Sequence, residues 1–187
     1  MIPNNVLSSQ AINSPFIVPN RLNELLDYEY GGIAIGDVSQ GLQVKLWHCF
    51  YDNGQIKASN GLITQVLITI ENVTALSLAF DLNMRPMVVY LANGHCYLWW
   101  YDSQAAAQIT TDFGPLFTFP QLALDDKRSS QSANADVIFA YIKNNKAYMR
   151  LQRERFLIEH KLAAAKRLLQ IGMMTNHRFG FALYNWN

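Results

Sequence analysis

Two histidine–cysteine pairs are the first residues in this chain whose types could support metal or thiol chemistry. His48-Cys49 and His95-Cys96 contain both of the chain's cysteines. They lack the close cysteine spacing of a convincing zinc site, and two cysteines are too few for a disulfide scaffold. We therefore interpret both cysteines as buried free thiols, and we predict no metal and no cofactor.

Asp81 and Asp125 recur in matching sequence surroundings and could form a pair of catalytic carboxylates. General acid–base catalysis can use such a pair. An aspartate at the end of a strand more commonly accepts backbone N–H groups of the following turn, and we favour this role for both. The chain contains no GxSxG, Walker, GxGxxG or HExxH motif, and its four histidines are scattered. The sequence predicts a protein that is not an enzyme.

The densest aromatic cluster is Trp99-Trp100-Tyr101. In a strand, alternation sends Trp99 and Tyr101 to one face and Trp100 to the other, so both faces carry a large ring. Aromatic residues are enriched at the centres of interfaces, which favours a buried or subunit-interface role. A platform for stacking a sugar is the rival interpretation.

Basic residues concentrate between Lys143 and Arg167, which hold eight of the chain's fifteen lysines and arginines. Such a run could line a channel crossed by DNA. Strand alternation spreads these charges over both faces, so DNA contact is possible but not favoured. We predict instead that Arg150, Arg153 and Arg155 form ion pairs between subunits.

Alternating strands separated by tight turns must position these residues. Three hairpins are predicted at Asp52-Asn53-Gly54, Asn93-Gly94 and Asn144-Asn145, because Asn and Gly tolerate positive φ. Arg178–Tyr184 is predicted as a closing strand. The region from Glu154 is ambiguous: its apolar spacing fits a short helix near His160–Gln170, while its first residues could extend the sheet.

The N-terminal residues 1–20 contain Pro3, Pro15 and Pro19 among Asn and Ser, which is typical of an extended arm. Asn20–Asp27 could add two helical turns. Residues 21–187 are predicted to form a single β-rich domain.

Composition excludes several classes of partner and location. Half of the residues are hydrophobic, only 16% are charged and the formal net charge is +1, so no global charge favours nucleic acid or acidic membranes. No apolar run is long enough to span a bilayer and no secretory signal is present, so we expect a soluble protein made in a cytoplasm. Low charge also suggests that part of the surface is buried against partners.

The chain repeats one pattern, which occupies about residues 75–102 and 121–153, with a weaker copy at 33–59. Each of the two clear copies has a strand ending in Leu-Ala-x-Asp, then a strand with a Tyr, a tight turn and a strand with another Tyr. Repeats of this length usually form units that bury their apolar faces by stacking on one another.

This pattern resembles one blade of a β-propeller, and Asp136–Phe156 is also similar to virion structural proteins of tailed phages. The resemblance implies an all-β antiparallel meander with blade-like repeats. It also implies a structural subunit of a phage tail or head-to-tail junction, located in the virion. Its partners would be copies of itself and other tail or connector proteins, with no membrane and no small-molecule substrate. The chain is too short to close a propeller by itself.

The expected mechanism is assembly, in which edge strands and the arm pair with neighbours. The expected interface residues are Trp99, Trp100, Tyr101, Arg150, Arg153 and Arg155. The first alternative is a small carbohydrate-binding module that uses Trp99 or Trp100. The second is a hydrolase whose site is split between subunits.

Overall fold

A computed structural model describes residues 30–35, 44–81, 83, 85–125, 136–174 and 178–185. These residues form antiparallel β-strands, with one short 3-10 turn at Gln152–Glu154. None of them belongs to a helix long and apolar enough to cross a bilayer. The predicted arm at residues 1–20 and the predicted helical turns at Asn20–Asp27 lie outside the described residues.

The strands form four sheets that follow one another along the chain. The first three are four-stranded meanders in which consecutive strands pair, and the fourth has two strands. Sheet I contains β1 (Tyr30–Ile35), β2 (Val44–Asp52), β3 (Gln55–Ser59) and β4 (Thr64–Thr69). Sheet II contains β5 (Val73–Phe80), β6 (Pro86–Ala92), β7 (His95–Asp102) and β8 (Ala107–Gly114). Sheet III contains β9 (Thr118–Asp125), β10 (Asp136–Lys143), β11 (Lys146–Leu151) and β12 (His160–Ala164). Sheet IV contains β13 (Arg167–Met173) and β14 (Phe179–Tyr184).

The all-β, blade-like antiparallel fold predicted from the sequence is confirmed. All three predicted hairpins form, and their turn residues Asn53, Asn93, Asn144 and Asn145 have positive φ. Asparagine reaches this conformation at low cost because its short polar side chain can bond to the nearby backbone. These turns therefore set the register of their hairpins locally.

The helix predicted near His160–Gln170 is wrong. Residues 160–164 form β12, which pairs with β11, and residues 167–173 form β13, which pairs with β14. Between them, Ala165 N–H donates to the Asn145 carbonyl at 3.1 Å and Lys166 N–H donates to the Tyr184 carbonyl at 2.9 Å. Tertiary strand pairing thus overrides the high intrinsic helix propensity of the alanine run.

The fourth strand of sheet II was not predicted from the sequence. β8 has exposed Gln108 and Thr110 alternating with partly buried Ile109 and Thr111, so its apolar signal is weak. The second sheet therefore extends from 73 to 114, and the third from 118 to 164, beyond the two predicted copies.

The sheets stack face to face, with an apolar cluster between each pair of neighbours. Their first strands contact one another in the order β1, β5, β9, β13. Ser77 and Ala79 of β5 are buried because sheet III covers the face of sheet II on which they lie. Among the described strands, β1 and β13 are not paired with each other.

Candidate functional site

The junction between sheets II and III contains three of the predicted interface residues, Trp100, Arg150 and Arg155, and we call it the II–III junction. Its core is aromatic: the rings of Phe117 and Tyr141 are tilted against each other with centroids 4.5 Å apart, and the Phe139 ring lies 4.8 Å from that of Tyr141. Met87, Val89 and Leu98 of sheet II pack against these rings, and all three are fully buried. This core fixes the positions of the polar groups at its rim.

Trp100 is buried in the II–III junction. Its indole N–H donates to Thr111 Oγ1 at 3.1 Å, and its ring meets the edge of Phe156 at 5.1 Å with an interplanar angle of 87°. Buried tryptophan usually needs such a partner for its N–H. Because Phe156 covers it, Trp100 offers no open platform to a sugar.

The connector between β11 and β12 inserts Phe156 into the junction through an unusual backbone. Arg155 and Phe156 have φ of 54° and 59°, a conformation that non-glycine residues rarely adopt. The strain is offset by complete burial of the Phe156 ring. The connector is thus held in one conformation by packing.

Arg155 forms an ion pair with Asp102 of β7, which is 1% exposed. Burial alone would raise the pKa of this carboxyl, but the hydrogen bond from Arg155 and the N–H groups of Gln104 and Ala105 outweigh it and lower the pKa. Asp102 is therefore ionised at neutral pH, and the pair joins sheet II to the connector of sheet III.

Arg150 anchors the same connector from the other side. Its Nε donates to the Tyr141 hydroxyl at 2.9 Å, and Nη1 donates to the carbonyls of Phe156 at 2.8 Å and Leu157 at 3.1 Å. Nη2 donates to Glu159 Oε2 at 3.1 Å, and the Tyr141 hydroxyl donates to the same oxygen. Lys143 lies 3.6 Å from that oxygen.

This cluster has the chemistry of a structural tether. Arg150 uses all three of its nitrogens on protein acceptors, which leaves little for a ligand. Burial raises the pKa of Tyr141, so its hydroxyl is neutral and is not a nucleophile. Burial opposes ionisation of Glu159, but Tyr141, Lys143 and Arg150 outweigh it and lower its pKa.

The other predicted interface residues also have partners within the chain. Arg153 Nε lies 3.5 Å from Asp136 Oδ2, and its backbone N–H donates to Asp136 Oδ1 at 3.0 Å. Tyr101 lies under the guanidinium of Arg85 at 3.9 Å, and Trp99 packs against the cluster between sheets I and II. Of the predicted set, Trp100, Arg150 and Arg155 therefore lie at the II–III junction and Trp99 at the junction of sheets I and II, while Arg153 pairs within sheet III.

Two of the four histidines, His95 and His160, each lie beside a carboxylate, apart from the junction core. His95 Nδ1 is 3.0 Å from Asp112 Oδ2, and His160 Nε2 is 2.6 Å from Glu154 Oε2. Cys96, the residue after His95, is fully buried and its pKa is raised by burial, as is that of Cys49. A buried neutral thiol is a poor nucleophile. The described residues contain no group of three or more His, Cys, Asp or Glu side chains placed to hold a metal ion.

Asp81 has the turn role that the sequence favours for it. Asp81 Oδ1 accepts the N–H groups of Asn83 at 2.8 Å and Arg85 at 2.9 Å, as an Asx-turn requires. Asp125 lies opposite Asp136 across β9 and β10, and both are buried. Asp81 and Asp125 lie in different sheets.

Two residues that link neighbouring sheets were missed by the sequence analysis. The N–H of Leu122 donates to Ser77 Oγ at 3.0 Å, which joins β9 to β5. The Gln121 amide donates to the carbonyls of Leu168 at 3.0 Å and Leu169 at 3.2 Å and accepts from the Ile171 N–H at 3.1 Å. The sequence does contain a signal that could have identified both residues, because each copy of the repeat has a polar residue four positions before its aspartate.

Comparison of the chain with protein-family models, curated proteins and solved structures gives no match. The functional argument therefore depends on the chain's own residues.

Proposed function

We propose that this protein is a structural subunit of a multi-copy assembly, of the kind found in a phage tail or head-to-tail junction. Its partners are other copies of itself and other tail or connector proteins, and it acts by assembly without catalysis. The virion setting is supported by the resemblance of the repeats and of Asp136–Phe156 to tailed-phage proteins. The assembly role is supported by the surface of sheet I.

The observation that carries the proposal is the outer edge of sheet I. β4 pairs with β3 on one side only among the described strands, and most of its residues are exposed. Val66 of β4 is 52% exposed, and Leu62 and Ile63, which directly precede the strand, are 89% and 53% exposed. An edge strand with exposed apolar residues favours pairing with another chain. Proteins that remain monomeric usually protect such edges with charge or proline.

The polar chemistry of the chain favours the same function. At the II–III junction, the buried or half-buried ionic groups Asp102, Glu159 and Arg150 are engaged in contacts that hold sheets and connectors together. Tyr141 and the cysteines are neutral and buried. Such groups favour a rigid scaffold that presents its edges to neighbours.

The first test is the solution mass of the purified full-length protein at several concentrations, by light scattering coupled to size exclusion. We expect a discrete oligomer, or assembly once a tail partner is added. Leu62→Lys and Val66→Lys should each weaken assembly by about ten-fold or more, because each places a charge in an apolar contact. Ser103→Lys, in the exposed turn after β7, is the matched control and should assemble normally.

The proposal would be contradicted if the solution mass stayed that of a monomer at every concentration and did not rise when candidate tail proteins were added. Assembly that is equally sensitive to Ser103→Lys would contradict the assignment of the β4 edge. Circular dichroism of each variant separates loss of assembly from loss of folding.

A further inference from the structure

The last strands of sheets I, II and III differ in how their outer edges are protected. Each of them pairs on one side only among the described strands, and a register shift occurs in all three pairs. β8 carries Asp112 and β12 carries Lys161, and charges on an edge strand discourage pairing with another chain. β4 has the sequence Thr-Gln-Val-Leu-Ile-Thr and contains neither a charged residue nor a proline. Of these three edges, β4 is therefore the one that charge does not protect.

The segment around β4 also has the composition of strands that pair between chains. Residues 63–70 read Ile-Thr-Gln-Val-Leu-Ile-Thr-Ile, of which six are β-branched and none is charged. Short segments with high β propensity and no charge or proline readily pair with other strands. The turn before β4 is ordered, because Asn60 Oδ1 accepts the N–H groups of Leu62 at 3.0 Å and Ile63 at 2.9 Å. The exposed apolar side chains beside β4 are thus presented in a fixed conformation.

The bulge in β4 determines which of its side chains share a face. Val66 lies opposite Lys57 and Ile68 lies opposite Ile56, so Leu67 is the extra residue between them. The other residues alternate once Leu67 is set aside. The face toward sheet II has Gln65, Ile68 and Ile70, and the face turned away from sheet II has Thr64, Val66 and Thr69.

This alternation is symmetric about Val66. If two β4 strands run antiparallel about a two-fold axis through Val66, Thr64 lies opposite Thr69 of the second copy and Gln65 lies opposite Ile68 of the second copy. Each opposed pair then shares a face of the joined sheet, as strand pairing requires. Threonine pairs and β-branched pairs across strands are stabilising, and no like charges meet. β4 therefore matches its own reverse in both face and chemistry.

We propose that two copies of this chain associate by antiparallel pairing of their β4 strands. The two copies of sheet I then form one intermolecular sheet of eight strands, four from each copy. This inference rests on the proposed function, because it names a second copy as the partner at the β4 edge. The contact uses the same surface on both copies, so it closes as a dimer with two-fold symmetry. The dimer is the unit from which larger assemblies form.

Opposite charges at Val66 test the two-fold axis, because this residue would face itself. Val66→Lys is labelled with a fluorophore, and its dissociation constant is measured against unlabelled Val66→Lys and against Val66→Glu. We expect Val66→Glu to bind the labelled chain about ten-fold more tightly, since only that mixture places opposite charges across the axis. The same comparison with lysine and glutamate at exposed Ser103, in the turn after β7, is the control and should show no preference.

The outcomes separate this inference from the proposed function. Self-association of the wild type, with no preference of Val66→Lys for Val66→Glu, would overturn the inference and leave the proposed function standing. A wild-type chain that is monomeric alone and assembles only with a tail protein would have the same consequence. A wild-type chain that does neither would overturn both. Circular dichroism establishes that each variant is folded.

Disulfide trapping tests the direction of the two strands. In the proposed pair, Thr64 lies opposite Thr69 of the second copy, within disulfide range, whereas the two copies of Thr64 are about 13 Å apart. Oxidation of a mixture of Thr64→Cys and Thr69→Cys should give a cross-linked dimer, and neither variant alone should. Both native cysteines are fully buried, which keeps the background low. A cross-link in Thr64→Cys alone would indicate parallel strands and overturn the proposal, and so would a mixture without a cross-link.

Discussion

Individual ionic side chains in this protein hold the connector between β11 and β12 in place, and Glu159 is one of them. Its carboxylate accepts from Tyr141 and Arg150 and lies near Lys143, so the folded pKa is below the ordinary value. A lowered carboxyl pKa contributes stability above the unfolded pKa of about 4.3, and that contribution is lost as pH falls through the folded pKa. The contribution of Glu159 to the free energy of unfolding is therefore present at neutral pH and lost in acid.

Glu159→Gln should lower the free energy of unfolding at neutral pH, because it leaves two cations without their carboxylate. The difference from wild type should begin to shrink as pH falls below about 4.3, where the carboxyl of the unfolded chain becomes protonated, and should vanish once pH is below the lowered pKa of the folded state. Urea unfolding at several pH values measures this difference. A wild-type-to-variant difference that stays constant across the acid range would contradict the assigned role, and exposed Glu71→Gln is the control.

Phe156 is the largest single contribution from the connector to the II–III junction. It is fully buried against Trp100 and is held in a left-handed conformation. Phe156→Ala should reduce the free energy of unfolding by about 3–5 kcal/mol, through lost burial and an unfilled cavity. The adjacent Leu157→Ala, at a 71% exposed site, should change it by less than about 0.5 kcal/mol. Equal effects of the two variants in chemical denaturation would refute this.

At the scale of elements, the sequence predicts those whose conformation depends on their own residues better than those that depend on a distant partner strand. The hairpins at Asn93-Gly94 and Asn144-Asn145 depend on residues inside the turn, so the sequence predicts them well. β12 and β13 depend on β11 and β14 as partners, and an alanine-rich segment carries little sign of that pairing. For the same reason the sequence singled out Trp100 and Arg155 but did not predict that they contact each other's sheets within one chain.

The links between first strands should be measurable one at a time. Gln121→Ala removes three hydrogen bonds between β9 and β13, which leaves buried backbone groups unsatisfied and should cost about 1–3 kcal/mol. The loss should appear mainly as faster hydrogen exchange in β13, with β6 and β7 little changed. Gln104→Ala serves as the control, and unchanged exchange in β13 would show that packing alone joins sheets III and IV.

At the scale of the whole molecule, each sheet shares apolar clusters only with its immediate neighbours among the described residues. Stability in such a stack is approximately a sum of sheet terms and junction terms, so its ends can open separately from its middle. Sheets II and III share the most aromatic junction and each has a described neighbour on both sides. We expect their amides to be the most protected.

This arrangement predicts that replacing a buried leucine by alanine changes hydrogen exchange in different sheets, depending on the junction at which the leucine lies. Leu168→Ala, at the junction of sheets III and IV, should accelerate exchange in β13 and β14 while sheets I and II keep their protection. Leu98→Ala, at the II–III junction, should destabilise the whole described stack by about 2–5 kcal/mol, because both central sheets lose packing. Exchange measured by mass spectrometry separates the two patterns. If both variants accelerated exchange uniformly in all four sheets, the protein would unfold as a single cooperative unit, and its junctions would not act independently.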